Sequence, residues 1–150
     1  MIEEEAASVD EARLALAEDG SATALWSARD DDNNARLVAR RCDAAGAWEA
    51  PVFIDASTAG GSHVEASHPA LAQGASDTTA VWRQWNGDGR DIKARSLQAD
   101  GHWGEAVLVD DGAHVPRAPC VAAGASFTLV AWVRDREGGG GQDLWFKVRR

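Results

Sequence analysis

One pattern that returns along the chain constrains its fold more than any other feature. Ala24-Leu25-Trp26, Ala80-Val81-Trp82 and Val130-Ala131-Trp132 stand 56 and then 50 residues apart. Gly46-Ala47-Trp48 and Gly101-His102-Trp103 keep the same step. So do the runs Ala35 to Arg40, Asp91 to Arg95 and Asp143 to Val148. Each copy opens on a related stretch: Ala12-Arg13-Leu14-Ala15, Pro69-Ala70-Leu71-Ala72, Pro119-Cys120-Val121-Ala122. Four landmarks in one order, at a period of about fifty residues, mark a repeat. Each unit is then too small to bury its own apolar face and must stack on its neighbours.

The stretch from Pro69 to Asp111 is the clearest copy. It divides into four short strand-like runs near 70–75, 78–85, 91–98 and 103–110, and Asn86-Gly87-Asp88-Gly89 is a strong turn signal between the second and third. Four short strands in a period of roughly fifty residues are the signature of a propeller blade. The expected fold is therefore all-β, with three four-stranded blades in one domain spanning 1–150. Blade one covers about 12–55, blade two about 69–111 and blade three about 118–150. In blade one the expected strands are Arg13 to Ala17, Ala22 to Arg29, Ala35 to Cys42 and Ala50 to Asp55. Blade three offers three, near 119–124, 127–134 and 142–149.

The first twenty residues carry a conflict. Ser8-x-x-Glu11 resembles a helix capping box, and Gly20 suits a helix end. Against this, Leu14 and Leu16 alternate with Ala15 and Ala17, and the repeat assigns them to a first strand. Strand is the expectation, because pairing in the sheet overrides local propensity. Residues 1–5 then match a spare outer strand. Blade three lacks one, and three blades are too few to close a ring. The order is thus permuted and the chain reads as half of a six-bladed propeller. A homodimeric ring is expected, each N-terminal run completing the partner's third blade. Missing blades supplied from elsewhere are the alternative.

Composition narrows the partners. The chain has a formal net charge of −9. That argues against nucleic acid, whose phosphates call for a basic surface, and against anionic lipid surfaces. Cys42 and Cys120 fall at non-equivalent landmarks, so they read as two thiols rather than a disulfide framework. No stretch approaches eighteen apolar residues, and no membrane insertion is expected. Met1 to Glu5 shows no secretory signal pattern.

At Pro69-Ala70-Leu71-Ala72, Ala80-Val81-Trp82, Ile92-Lys93-Ala94-Arg95 and Trp103-Gly104-Glu105-Ala106-Val107 the sequence resembles a family of bacterial propeller repeats, distantly like sialidase-type propellers. The turns Asp43 to Trp48 and Asp100 to Trp103 look like degenerate Asp-boxes. The resemblance implies a secreted or surface-attached setting and a binding or scaffolding role without catalysis.

The residues themselves offer little chemistry. A sialidase needs a Tyr nucleophile, and the chain has no Tyr. Acids such as Asp30, Asp88 and Glu137 lie on loops, where carboxylates are normally just solvated. Ser62, His63 and Glu65 form no nucleophile elbow. His63, His68, His102 and His114 lack ligand spacing. Asn86, Asp88 and Asp91, with Asp30-Asp31-Asp32-Asn33 one blade earlier, give Asp30, Asp32, Asp88 and Asp91 as weak calcium candidates. The later bidentate acid of an EF-type loop is missing, so no metal and no cofactor are expected.

Trp26, Trp82 and Trp132 are expected between blades, while Trp48 and Trp103 anchor hairpins. Trp85 and Trp145 break the repeat, so the scaffold does not demand them. An amphipathic ring beside amides and acids suits a sugar. The expected ligand site is Trp85, Asn86, Asp88, Arg90, His63 and His114, on the face holding loops 30–34, 56–68, 86–90, 111–118 and 135–141. The expected function is a non-enzymatic binding module for a glycan or surface ligand. A purely structural, self-assembling piece is the alternative, and a glycoside hydrolase a distant third.

Overall fold

Apolar and small residues alternate through each copy, and each alternating run becomes a strand. The computed structural model describes residues 8–29, 33–55, 65–110 and 115–149. They form eleven strands: β1 Ser8–Leu16, β2 Ala22–Arg29, β3 Ala35–Cys42, β4 Val52–Phe53, β5 Ala66–Gln73, β6 Thr78–Trp85, β7 Arg90–Leu97, β8 Val107–Asp110, β9 Arg117–Ala123, β10 Thr128–Asp135 and β11 Gln142–Arg149. These make three antiparallel sheets in the orders β1-β2-β3-β4, β5-β6-β7-β8 and β9-β10-β11. The described residues contain no helix. β1 approaches β5, and β5 approaches β9, so the first strand of each sheet lies innermost. This is a partial propeller of three blades.

The period-two alternation sends successive side chains to opposite faces of each blade. One core lies between blades one and two. Leu25, Leu37, Ala39 and Ile54 meet Ala66, Ala80 and Trp82 there. The next lies between blades two and three, where Val81, Ile92 and Ala94 meet Val130 and Trp132. Trp82 and Trp132 therefore pack between blades, as their repeat positions require. Trp26 lies on the other face of blade one, buried among Ala24, Ala28 and Val38 with Trp48 against it. Each large buried side chain contributes about 1.5–3 kcal/mol, so the blade junctions hold most of the stability.

The sheets refine the sequence expectations at their margins. β1 begins at Ser8, earlier than expected, because a bulge between Asp10 and Arg13 lets pairing with β2 resume on its far side. The strand reading of this segment, not the helix, is the one the fold adopts. β4 is only two residues long, and the run before it is held instead by an isolated bridge from Trp48 to Cys42. Trp103 makes the equivalent bridge to Leu97. In the first hairpin Asp43 Oδ1 accepts from the Ala45 and Ala47 amides, at 2.9 and 2.8 Å. Both cysteines are free, Cys42 buried and Cys120 exposed. The spare strand expected over residues 1–5 lies outside the described residues.

Candidate functional site

In each blade the second and third strands turn at the same end as the connections between blades. This end is called the loop face. Its described parts include Asn33, Glu65 to His68, Asn86 to Arg90, Val115 to Ala118 and Asp135 to Gly141. Glu65 ties the first two blades together there. It bridges in parallel to Ala35, its carbonyl accepts from the Trp85 amide at 2.9 Å, and its carboxylate pairs with Arg90. The Arg90 guanidinium lies 5.8 Å from the Trp85 ring centroid, a cation–π arrangement.

The Asn86 to Asp91 turn is closed on itself. Asn86 Oδ1 accepts from the amides of Asp88 and Gly89, at 3.0 and 2.7 Å. Its Nδ2 donates to Asp91 Oδ1 at 2.7 Å. Gly87 sits at φ +105°, where a side chain would be strained. Asp91 is thus buried as a structural acceptor, and Asp88 stays exposed. Among the described residues no group of three His, Cys, Asp or Glu side chains is placed to hold a metal ion. Of the other sequence candidates, His63, His114, Asp30 and Asp32 lie outside the described residues.

Arg83 was not legible as special. It stands where blade one has Ser27 and blade three has Val133, on the face of β6 toward blade three. Its Nε is buried, with no hydrogen-bond partner among the described residues. Burial, and then the neighbouring positive Arg90 and Arg117, hold its pKa below the ordinary arginine value. Arg117 itself pairs with Asp135 at 2.7 Å, and Gln142 and Arg117 together hold the Asp135 carboxyl below the usual range.

The inner strands carry a feature the sequence reading passed over. Glu11, His68 and Ala118 occupy equivalent positions, and all have left-handed backbone at φ 52°, 54° and 46°. Each lies at a bulge where the inner strand loses register with the second strand. A left-handed backbone at a residue with a Cβ costs on the order of 1–2 kcal/mol. Glu11 Oε2 accepts from the His68 amide at 2.7 Å, joining two inner strands at their loop-face ends. The available signal was the proline column: Pro69 and Pro119 follow His68 and Ala118, and neither proline is explained by strand pairing.

Two buried carboxylates brace the outer strands at this end. Asp55 follows β4 and meets Arg36 at 2.6 Å; Asp110 ends β8 and meets Arg134 of the next blade at 2.6 Å. Desolvation raises the Asp55 pKa, against the opposing pull of Arg36. Gln84 occupies the position of Arg134 one blade earlier. There it accepts from the Trp82 indole N–H at 2.9 Å, whereas the indoles of Trp26 and Trp132 have no acceptor among the described residues.

Cavities open at the opposite end, the turn face, and between the outer strands of neighbouring blades. One of about 640 Å³ is lined by the first hairpins of all three blades, including Asp19, Gln73 and Asp77, and by Gln98 of the β7–β8 connection. Asp19 is fixed there by the Ser21 amide at 2.8 Å, and hydrogen bonding with Ser21 lowers its pKa.

Comparison with known proteins places the architecture. No family model and no curated protein matches the chain. Solved structures do match. A thermostable family-43 glycoside hydrolase aligns at TM-score 0.58 and 10% identity, over 98% of this chain and 55% of that one. An α-L-arabinanase from Penicillium chrysogenum, complexed with arabinobiose, aligns at TM-score 0.56 and 12% identity, over 87% of this chain and 41% of that one. The chain spans about half the length of the chains it matches. The likeness supports the propeller fold expected from the repeat. It corrects one expectation: the sequence reading expected no enzyme and kept a glycoside hydrolase only as a distant alternative, yet the solved structures matched here are glycoside hydrolases. That expectation rested on the missing Tyr and on acids that lie on loops. The missing Tyr removes only the route that needs a Tyr nucleophile.

Proposed function

We propose that the chain supplies part of a carbohydrate-engaging propeller face, with saccharide held at the loop face across Glu11, His68 and Trp85. One observation carries the reading. Glu11 and His68 both keep strained left-handed backbone at a bulge, and they are hydrogen-bonded to each other across a blade junction. Strain retained where the inner strands converge is a mark of sites rather than of scaffolding. Trp85 adds an apolar ring, half-buried and flanked by Arg90, Glu65 and Asn86. That combination of ring and polar groups suits a sugar. The fold's occurrence in an arabinanase complexed with arabinobiose supports the ligand class.

The test is calorimetric titration with arabino-, xylo- and gluco-oligosaccharides, with release of reducing ends read in the same samples. Binding of at least one series is expected, weakened about tenfold or more by Trp85→Ala. Reducing-end release would add hydrolysis to binding. Absence of both with every series overturns the reading. Binding that survives Trp85→Ala but is lost in Asp77→Ala or Gln98→Ala moves the site to the turn face and overturns its placement here.

A further inference from the structure

Arg83, Arg90 and Arg117 gather positive charge at one point of the loop face, in a chain whose net charge is −9. Strand geometry puts them there. Side chains two apart on a strand share a face. Val81 lies in the core between blades two and three, so Arg83 and Trp85 are on the side of β6 toward blade three. Arg90 pairs with Trp85 in the register of β6 with β7 and shares that face with Ile92. Arg117 comes from blade three, at the start of β9, which packs on β6. Both arginines act on the Arg83 charge, and Glu65 pulls the other way more weakly.

The neighbouring carboxylates are already committed. Glu65 pairs with Arg90, Asp135 with Arg117 and Asp110 with Arg134, while Asp91 accepts from Asn86. Arg83 makes no ion pair among the described residues, and its buried Nε has no hydrogen-bond partner among them. It is the surplus cation of the cluster. The repeat holds Ser27 and Val133 at its position, so the blade does not require an arginine there. A partly buried charge without a counter-charge costs stability until an anion completes it. Donors remain for one. Arg83 is half-buried, and the Arg90 and Arg117 side chains are 25% and 52% exposed. A guanidinium offers its N–H donors as a planar fork that grips an oxyanion through two oxygens. The Trp85 ring stands on the same face, 5.8 Å from the Arg90 guanidinium. We infer that Arg83, with Arg90 and Arg117, binds the oxyanion of an acidic saccharide, a carboxylate or a sulfate ester, whose sugar ring lies against Trp85. The inference rests on the saccharide reading and narrows its ligand class.

Calorimetric titration with saccharides of matched length tests it. Xylo-oligosaccharides serve as the neutral series, oligogalacturonides carry the carboxylate and sulfated galactan oligosaccharides carry the sulfate. At least one acidic series should bind about tenfold or more tightly than the neutral one. Arg83→Met should bring acidic binding down to the neutral level. Arg83→Lys should keep part of the advantage, since lysine retains the charge without the fork. Salt raised to about 0.5 M should narrow the gap between acidic and neutral series. The series whose advantage Arg83→Met removes identifies the anion, and circular dichroism verifies that both variants fold. Neutral binding with no acidic advantage overturns this inference and leaves the saccharide reading standing. An acidic advantage that survives Arg83→Met overturns it too. Absence of binding by every series overturns both.

Discussion

The Glu11 carboxylate of the first blade accepts a hydrogen bond from the His68 amide of the second at 2.7 Å. It is a charge-assisted bond between two inner strands, and it sits where both backbones are left-handed. Glu11→Ala leaves that amide without its acceptor. A stability loss of about 1 kcal/mol is expected, since the site is partly open to water. The third member of the set gives the converse. Ala118 is exposed and holds φ 46° without a partnered side chain. Ala118→Gly should raise stability by up to about 1 kcal/mol, because glycine adopts this backbone without strain and offsets only part of that gain through unfolded-state entropy. Urea denaturation of the three proteins checks both signs.

The Arg36–Asp55 pair gives a pH prediction. Asp55 is buried, and desolvation raises its folded pKa above the ordinary 3.8. A raised carboxyl pKa means that the folded state holds the proton more tightly than the unfolded one. The resulting stability is fully present below 3.8 and is lost as pH rises through the folded value. Unfolding free energy of the wild type, relative to Asp55→Asn, should therefore fall across that interval and then level off. Arg36→Met instead leaves a buried carboxylate unpaired and should cost about 3–5 kcal/mol at pH 7. A wild type and Asp55→Asn that track each other from pH 3.5 to 7 would contradict the assignment.

Gln84 offers a sharper packing test. It is fully buried and accepts the Trp82 indole N–H. Gln84→Leu fills the space but orphans that donor, so a loss of about 1–3 kcal/mol is expected. Trp82→Ala should cost more, about 3–5 kcal/mol, since it opens a cavity between two blades. Thermal melts should rank wild type above Gln84→Leu, and Gln84→Leu above Trp82→Ala.

Arg83 runs the other way. Its Nε is buried without an acceptor among the described residues, and its charge faces Arg90 and Arg117. Arg83→Met removes the unsatisfied donor and the repulsion while keeping the unbranched stem. Stability should rise by about 1 kcal/mol, read as a higher melting temperature. A fall instead would show that the guanidinium is held by favourable contacts.

Much of the fold was legible because a blade is a local object. Its strands are consecutive, its pairings are hairpins, and its side-chain period is two. Trp26, Trp82 and Trp132 therefore marked the second strands, and Gly46, Gly87 and Gly101 marked turns that demand left-handed backbone. The candidate site was legible only in part. Trp85 and Arg90 stood out because they break the repeat or border a turn. Glu11 and His68 did not, because their interest lies in a backbone angle and in a contact spanning 57 residues of sequence.

By itself the sequence determined three copies of one hairpin-built unit and the alternating faces they must bury, since both follow from spacing along the chain. Only the tertiary structure decided which faces found a neighbour. Burial of Leu37 and exposure of Leu144 at the same repeat position depend on what stands across the gap. So do the strain on Glu11 and the partnerless nitrogen of Arg83, because contacts between blades are set by distance in space and not by order in the chain.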